Sequence, residues 1–365
     1  MIQPQNLAIY IHWPFCKSKC PYCNFYKQVD PHVDQNKIVD EYISALQKYH
    51  ELLPERQVKS VFFGGGTPSL MEPRHVARII DFIAAKWQLS SQAETSLEAN
   101  PNSRYQNMFA DLKNAGINRL SLGVQALNEQ DLRFLGRTHN LSMARACLEE
   151  ITRVFSNHSA DFIYARPQQR LDDWEQELTE ICTYHLKHIS LYQLTIEEDT
   201  VFARKHIQPL NEDDAAQMYD FSRDFLHRYG YEHYEVSNFA CAGFQSVHNL
   251  TYWQGGEYLG IGTSAHGRIC LNHQHFATVY PFEHIPLTQQ ERAQELILMG
   301  LRLTSGICKK TFEQICGLNF DSVVNLEHKQ QLIDLDLLEE TVDFIRPTYQ
   351  GILVLDTIIS QLCDI

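Results

Sequence analysis

Leu7-Ala8-Ile9-Tyr10-Ile11-His12-Trp13-Pro14-Phe15-Cys16-Lys17-Ser18-Lys19-Cys20-Pro21-Tyr22-Cys23 runs an apolar segment, Leu7 to His12, straight into three cysteines spaced C-x3-C-x2-C. A short run of branched and aromatic residues bounded by proline reads as a strand, so the thiols sit in the loop at its end. Structural zinc asks for four tetrahedral ligands, usually in paired C-x2-C spacings. Here there are three cysteines, and the nearest further candidate, His12, lies inside the strand. Three soft thiolates suit a cubane iron-sulfur cluster that leaves one iron open to a ligand. The other seven of the ten cysteines are scattered and read as small buried hydrophobes in a chain too long to need disulfide staples.

Outward from this segment, apolar runs alternate with helix-period stretches. A helix is expected over Asp34 to Leu53, a strand over Val58 to Phe63 ending in Gly64-Gly65-Gly66, a helix after Pro73 and a strand over Thr95 to Ala99. The series continues with a helix over Ser103 to Ala115, a strand over Arg119 to Gly123, helices over Asn128 to Phe134 and Ser142 to Phe155, and a strand over Ala160 to Tyr164. A helix over Asp172 to Tyr184 and a strand over His188 to Leu194 close it. Six strands separated by helices imply parallel pairing, an α/β sheet or partial (β/α)6 barrel, whose chemistry sits at the C-terminal strand ends. Polar segments follow the first four strands: the cysteines, the glycines, Glu98-Ala99-Asn100-Pro101 and Gly123-Val124-Gln125.

Beyond about residue 285 the pattern changes to short helices (Gln289 to Arg302, Thr311 to Cys316, Val324 to Leu338) and a closing strand, Gly351 to Leu355. This gives two units, a core over 1–285 and a small α+β domain over 286–365, the latter expected to pack over the barrel mouth and to serve substrate or acceptor recognition. The chain has 31 Lys and Arg against 45 Asp and Glu, a net charge of -14. That balance argues against nonspecific nucleic-acid binding. The N-terminus lacks a basic n-region and a long apolar h-region, and no apolar run is long enough to span a membrane, so a cytoplasmic protein without a transmembrane segment is expected.

Tyr10 to Cys16 with Cys20-Pro21-Tyr22-Cys23-Asn24-Phe25 resembles the cluster-binding segment of radical S-adenosylmethionine (SAM) enzymes, in the group related to the oxygen-independent coproporphyrinogen III dehydrogenase. Within that group the chain is most similar to the HemW-type heme chaperones, over essentially its whole length. The resemblance implies a [4Fe-4S] cluster on Cys16, Cys20 and Cys23 and SAM held near Tyr10, Gly65, Gly66, Thr67, Glu98, Gln125, Arg137 and Asp161. Glycines let the backbone approach a ligand closely, and an arginine can grip a carboxylate bidentately. Asp161-Phe162-Ile163-Tyr164-Ala165-Arg166-Pro167-Gln168 departs from the commoner Asp-Leu-Ile-Tyr-Gly-Leu-Pro-Gly and leaves the shape of that loop open.

Two features point to the chaperone branch. Phe25 stands where the dehydrogenase has a further cysteine, and the first strand begins without a long extension. His248-Asn249-Leu250-Thr251-Tyr252-Trp253 matches the H-N-x-x-Y-W motif associated with heme binding, which implies His248 as a heme ligand, with His266 and Cys241 as alternatives. The implied partners are heme and acceptor hemoproteins, membrane-associated respiratory ones among them. Two other readings stay open: oxidative decarboxylation of coproporphyrinogen III, and an iron-sulfur scaffold that does not turn SAM over. Residue type alone leaves His248 as a hydrogen-bonded core histidine and each polar strand-end residue as ordinary turn or cap chemistry.

Overall fold

The structure, a computed structural model, describes residues 5–30, 32–101 and 107–363. The core is built from β1 (Asn6–Trp13), α1 (Gln35–Leu52), β2 (Gln57–Gly65), α2 (Pro73–Lys86), β3 (Gln88–Ala99), α3 (Met108–Asn114), β4 (Arg119–Gln125), α4 (Glu129–Phe134), α5 (Leu141–Val154), β5 (Asn157–Tyr164), α6 (Leu171–Thr183) and β6 (His188–Gln193). Strands β1 to β6 pair in chain order, all parallel. This is the α/β arrangement expected from the alternation, a radical SAM partial (β/α)6 barrel. Residues 103–106 of the expected Ser103 to Ala115 helix lie outside the described residues; the described part is α3.

The helices begin where their sequences supply caps. Asp34, Asn128 and Asn140 each accept a backbone N–H from the first turn of α1, α4 and α5, satisfying donors that helix geometry leaves unpaired. The apolar faces of α1, α2 and α5 bury Val39, Leu46, Ile79, Leu148 and Ile151 against the sheet in one continuous core.

The chain then adds α7 (Val201–Arg204), α8 (Glu212–Arg228), the hairpin β7 (Glu232–Glu235) and β8 (Asn238–Ala240), α9 (Val247–Trp253), and β9 (Glu257–Ile261), β10 (His266–Leu271), β11 (Gln274–Val279) and β12 (Glu283–Pro286). Strand β9 is parallel to β1, while β8 runs antiparallel to β6. Parallel pairing therefore continues one strand beyond β1 before antiparallel edges take over on both sides.

The last segment comprises α10 (Gln289–Gly300), β13 (Ile307–Cys308), α11 (Lys309–Cys316), α12 (Leu326–Asp334), β14 (Leu338–Glu340), β15 (Phe344–Pro347), α13 (Tyr349–Leu353) and α14 (Leu355–Cys363) around a second apolar core. Two expectations need correction here. Gly351 to Leu353 belongs to α13, which Thr348 caps by accepting Gly351 N–H at 3.0 Å, and after a turn at Val354 Leu355 opens α14, so the apolar run is buried on helical faces at Ile352 and Leu355. The helix expected to reach Leu338 stops at Asp334, because Asp336 turns to φ +56° and frees Leu338 to pair with Pro347.

Among the described residues, none of the C-terminal segment lines the barrel mouth. The segment docks on the side and floor: Arg292 donates to Gly255 O at 2.6 Å, Val236 N–H to Arg302 O at 3.2 Å, and His275 Nε2 to Ile315 O at 2.7 Å. Arg302 also lies 4.6 Å from the Trp253 ring. Among the described residues, no helix is long and apolar enough to cross a membrane.

Candidate functional site

The C-terminal ends of β1 to β6 surround a cavity of about 370 Å³ whose lining spans residues 16 to 197. Cys16, Cys20, Cys23, Gly65, Gly66, Thr67, Glu98, Gln125, Arg137 and Asp161 all face it. Ten of the twelve residues expected at the site thus come together; Tyr10 and His248 lie elsewhere.

The cysteine loop is closed at its base by Cys16 N–H to Gln28 O at 2.9 Å and Gln28 N–H to Pro14 O at 2.7 Å. The Thr67 hydroxyl lies 3.5 Å from the Cys16 sulfur, and Lys27 Nζ donates to Cys23 O. Burial pushes the Cys16 thiol up, a shift opposed by Thr67 and Lys27, and a thiolate is the ligand form. Among the described residues, no three His, Cys, Asp or Glu side chains converge closely enough for a single metal ion.

His12 is a residue the sequence reading weighed only as a fourth ligand. Its Nε2 lies 3.2 Å from Tyr26 O and its Nδ1 3.0 Å from the Tyr10 hydroxyl. A carbonyl can only accept, so Nε2 carries the proton and Nδ1 accepts from Tyr10. The pair ties the returning limb of the cysteine loop to β1, and burial lowers the imidazole pKa so that it stays neutral. The available signal was a histidine within an otherwise apolar strand. Tyr10 holds this histidine rather than facing the cavity.

The glycine turn is shaped by the same contact. Gly65 has φ +111°, and a Cβ there would stand 2.6 Å from His12 Cε1; only glycine fits. Its N–H donates to Glu98 Oε2 at 3.2 Å. Burial, with repulsion from Asp161, raises the Glu98 pKa to about 8 despite that hydrogen bond. Asp161 is also raised by burial, and the Ser121 hydroxyl at 3.1 Å stabilises its charged form. Gln125 follows a β-bulge opposite β5 and takes φ +73°, which re-aims its side chain into the cavity.

Arg137 donates to Asn100 Oδ1 and to Gly123 O, the latter at 2.8 Å, and its Nη1 lies 3.5 Å from the Cys20 sulfur. Its Nε is buried without a hydrogen-bond partner among the described residues, a spare donor of the kind a carboxylate would satisfy. Three thiols, a glycine turn no side chain can fill, an unsatisfied guanidinium N–H and two carboxylates fit an iron-sulfur cluster with a zwitterionic nucleoside ligand.

The departing segment after Asp161 keeps the shape of a glycine loop. Ala165 and Gln168 take φ +55° and +64° where the resembling pattern has glycine. Arg166, buried between them, donates to Ile163 O at 2.8 Å and pairs with Asp131 and Glu177. A buried charge paired with two carboxylates is expensive to disturb, so Arg166 holds two strained residues in place.

His248 sits at the opposite end, in the barrel floor. Helix α9 enters the N-terminal ends of β2 to β4, where Glu94 accepts the backbone N–H groups of Val247 and His248 at 3.3 and 3.2 Å. The imidazole is 1% exposed, stacked on Phe62, with Nδ1 2.9 Å from Ser60 Oγ and Nε2 bonded to the Tyr252 hydroxyl. Burial drives its pKa down to about 3. In this conformation both nitrogens are engaged, so iron coordination by His248 requires one of these hydrogen bonds to be given up. His266 is exposed at the start of β10, and Cys241 follows β8.

Comparison with known proteins agrees with this layout. The Radical SAM superfamily model matches residues 10–181, and the HemN C-terminal domain model matches 287–354. The heme chaperone HemW of Buchnera aphidicola is 32% identical over all of both chains, and that of Bacillus subtilis 32% identical over 94% of this chain and 96% of its own. The chain belongs to the HemW-type branch of the radical SAM superfamily. A mitochondrial relative from cattle, radical S-adenosyl methionine domain-containing protein 1, is 35% identical over 98% of this chain and 87% of its own. The coproporphyrinogen III oxidase structure from Escherichia coli superposes with a TM-score of 0.82 at 19% identity, covering 99% of this chain and 91% of that one. Branch and fold thus share an architecture, and the mouth cavity lies entirely outside the C-terminal match.

Proposed function

We propose that the protein is a heme chaperone that carries a [4Fe-4S] cluster on Cys16, Cys20 and Cys23, binds SAM in the mouth cavity, and passes heme to acceptor hemoproteins, membrane-associated respiratory ones among them. The observation that carries this reading is the convergence of the three thiols, the glycine turn, Glu98, Gln125, Arg137 and Asp161 on one cavity. When bound, the cluster supplies an open iron and one-electron chemistry. Gly65 and Gly66 let the backbone approach the amino-acid end of SAM, Arg137 grips its carboxylate, and Glu98 accepts from ribose hydroxyls or an ammonium group. Division into a core over 1–285 and a domain over 286–365 belongs to the same reading, supported by the second apolar core.

Phe25, at the position of a further dehydrogenase cysteine, favours the chaperone over oxidative decarboxylation of coproporphyrinogen III. Two assays on anaerobically reconstituted protein separate them: heme titration followed by transfer to an apo-hemoprotein, and a search for protoporphyrinogen with reductant and SAM. Heme uptake and transfer without product are expected. Protoporphyrinogen formation would overturn the reading.

A further inference from the structure

The side-chain amide of Asn100 ties the cysteine loop to the far side of the mouth. Asn100 directly follows β3, and Pro101 after it disfavours helical backbone at that position, so the extended chain of the strand carries the amide into the site. Its Oδ1 accepts from Arg137 Nη2, and its Nδ2 donates to Thr67 Oγ1 at 3.2 Å. Thr67 Oγ1 in turn lies 3.5 Å from Cys16 Sγ, and Arg137 Nη1 lies 3.5 Å from Cys20 Sγ. One amide therefore connects two of the three thiols through two different side chains.

The direction of each bond follows from what the groups can donate. A guanidinium donates only and has no acceptor, so the amide oxygen must face Arg137 and the amide nitrogen must face Thr67. The Thr67 oxygen then accepts from Asn100, which leaves its single hydrogen for the Cys16 sulfur. Arg137 Nη2 is spent on Asn100 and on Gly123 O at 2.8 Å, which sets the guanidinium plane and leaves Nη1 for Cys20 and for the Tyr22 hydroxyl at 3.4 Å. Reversing the amide would set N–H against N–H at Arg137.

A hydrogen-bond donor or a positive charge at a cysteinyl sulfur favours the more negative, reduced form of an iron-sulfur centre and raises its reduction potential. We propose that Asn100 is a positioning residue for the [4Fe-4S] centre: it aims the Thr67 hydroxyl at Cys16 and the Arg137 guanidinium at Cys20, and so holds the reduction potential above what the thiolates alone would give. The inference rests on the cluster part of the proposed function. It adds a second duty for Thr67 and Arg137, toward the sulfurs as well as toward SAM, and names the residue that coordinates the two.

The test follows the midpoint potential of the anaerobically reconstituted full chain by redox titration read in the EPR spectrum. Iron is counted on each sample, and SAM is left out so that lost SAM contacts cannot move the reading. Asn100→Leu keeps the volume and removes the amide; its reduction equilibrium is expected to fall about tenfold, about 59 mV for a one-electron couple, at unchanged iron content. Thr67→Val should fall by less, and Thr67→Ser should stay at the wild-type potential. Thr67→Val added to Asn100→Leu should lower it no further, since the two act in series. A wild-type potential in Asn100→Leu, or the full Thr67→Val decrement on top of Asn100→Leu, overturns the inference and leaves the cluster reading standing. Where Asn100→Leu does not assemble the cluster, the Thr67 pair decides: a lower potential in Thr67→Val with the wild-type value in Thr67→Ser upholds the inference, and equal potentials in the two overturn it. Wild-type protein that takes up zinc or no metal defeats the proposed function itself, and the inference with it.

Discussion

The two ends of the barrel use similar residues to opposite effect. At the floor, His248 lies between Ser60 and Tyr252, His188 between Ser159 and Tyr234 at 2.7 and 2.9 Å, and Glu94 beside Arg119 at 3.7 Å. Polar groups there are enclosed and partnered, which fixes one packing. At the mouth, the three thiols, Glu98 and Arg137 face open space, and Arg137 Nε has no partner among the described residues. Interaction capacity left over at the mouth is available to ligands; at the floor it is spent on holding strands together. A motif on the floor is therefore read first as architecture, whatever ligand its residue types could bind.

The sharpest way to break this contrast is to remove a thiol. Cys16→Ala, Cys20→Ala or Cys23→Ala should each abolish nearly all iron uptake on anaerobic reconstitution while leaving the melting temperature of the cluster-free protein within a degree or two, because none of the three belongs to the apolar core. Metal analysis and calorimetry check the two halves. A large drop in melting temperature would mean that the mouth carries the fold as well.

Acid tests the other end. Burial depresses the pKa of His248 to about 3 and holds His188 well below its usual value, so neither is charged in the folded protein near neutrality. In the unfolded chain both titrate near 6.5. Their contribution is fully present above pH 6.5 and is lost as pH falls, since only the unfolded state then takes up the protons. Linkage puts the loss at about 2 kcal/mol per histidine between pH 7 and 5. Urea unfolding across that range should show it, and His188→Gln should flatten the slope. A pH-independent midpoint would mean that these imidazoles titrate in the fold as they do in the unfolded chain.

The mouth was the more legible end because its signals are local. Strand period, the spacing of the cysteines and the polar residue at each strand terminus are read within a few positions of one another, and the structure brings all of them except Tyr10 to one cavity. The floor was hidden because its contacts join distant segments: Glu94 reaches Val247, and Ser60 reaches His248. The helix at Gly351 was misread for a different reason. An apolar run of five residues cannot distinguish strand from helix by period, and the deciding signal was the Thr348 cap three residues before Gly351. Strands β13 to β15, two to four residues long, exist by tertiary pairing and leave almost no periodic trace.

A smaller effect sharpens the mouth itself. Arg137→Ala should weaken SAM binding to the reconstituted protein by about 1.5–3 kcal/mol, the worth of a charged hydrogen bond, with iron content preserved. Isothermal titration reads both the affinity and the stoichiometry. Unchanged affinity would remove Arg137 from the ligand site and leave it as a brace between Asn100, Gly123 and the Cys20 limb of the loop.

The smallest expected change separates the two roles of His248 by its sign. In Tyr252→Phe the ring keeps its edge-on packing against His248 but loses the hydroxyl that engages Nε2. A lost buried hydrogen bond costs about 1 kcal/mol of stability, and the melting temperature should fall by a few degrees. The imidazole then has one nitrogen released while α9 remains anchored by Glu94. If His248 serves as a post in the floor, heme affinity stays at the wild-type value. If it is an axial ligand that must first give up Tyr252, the substitution removes a competitor for the same lone pair, and heme should bind more tightly with a shifted Soret band. Tighter binding in Tyr252→Phe would place heme at the floor and erase the division of labour between the two ends. An unchanged spectrum with reduced stability would leave the floor as architecture and the mouth as the place where ligands are held.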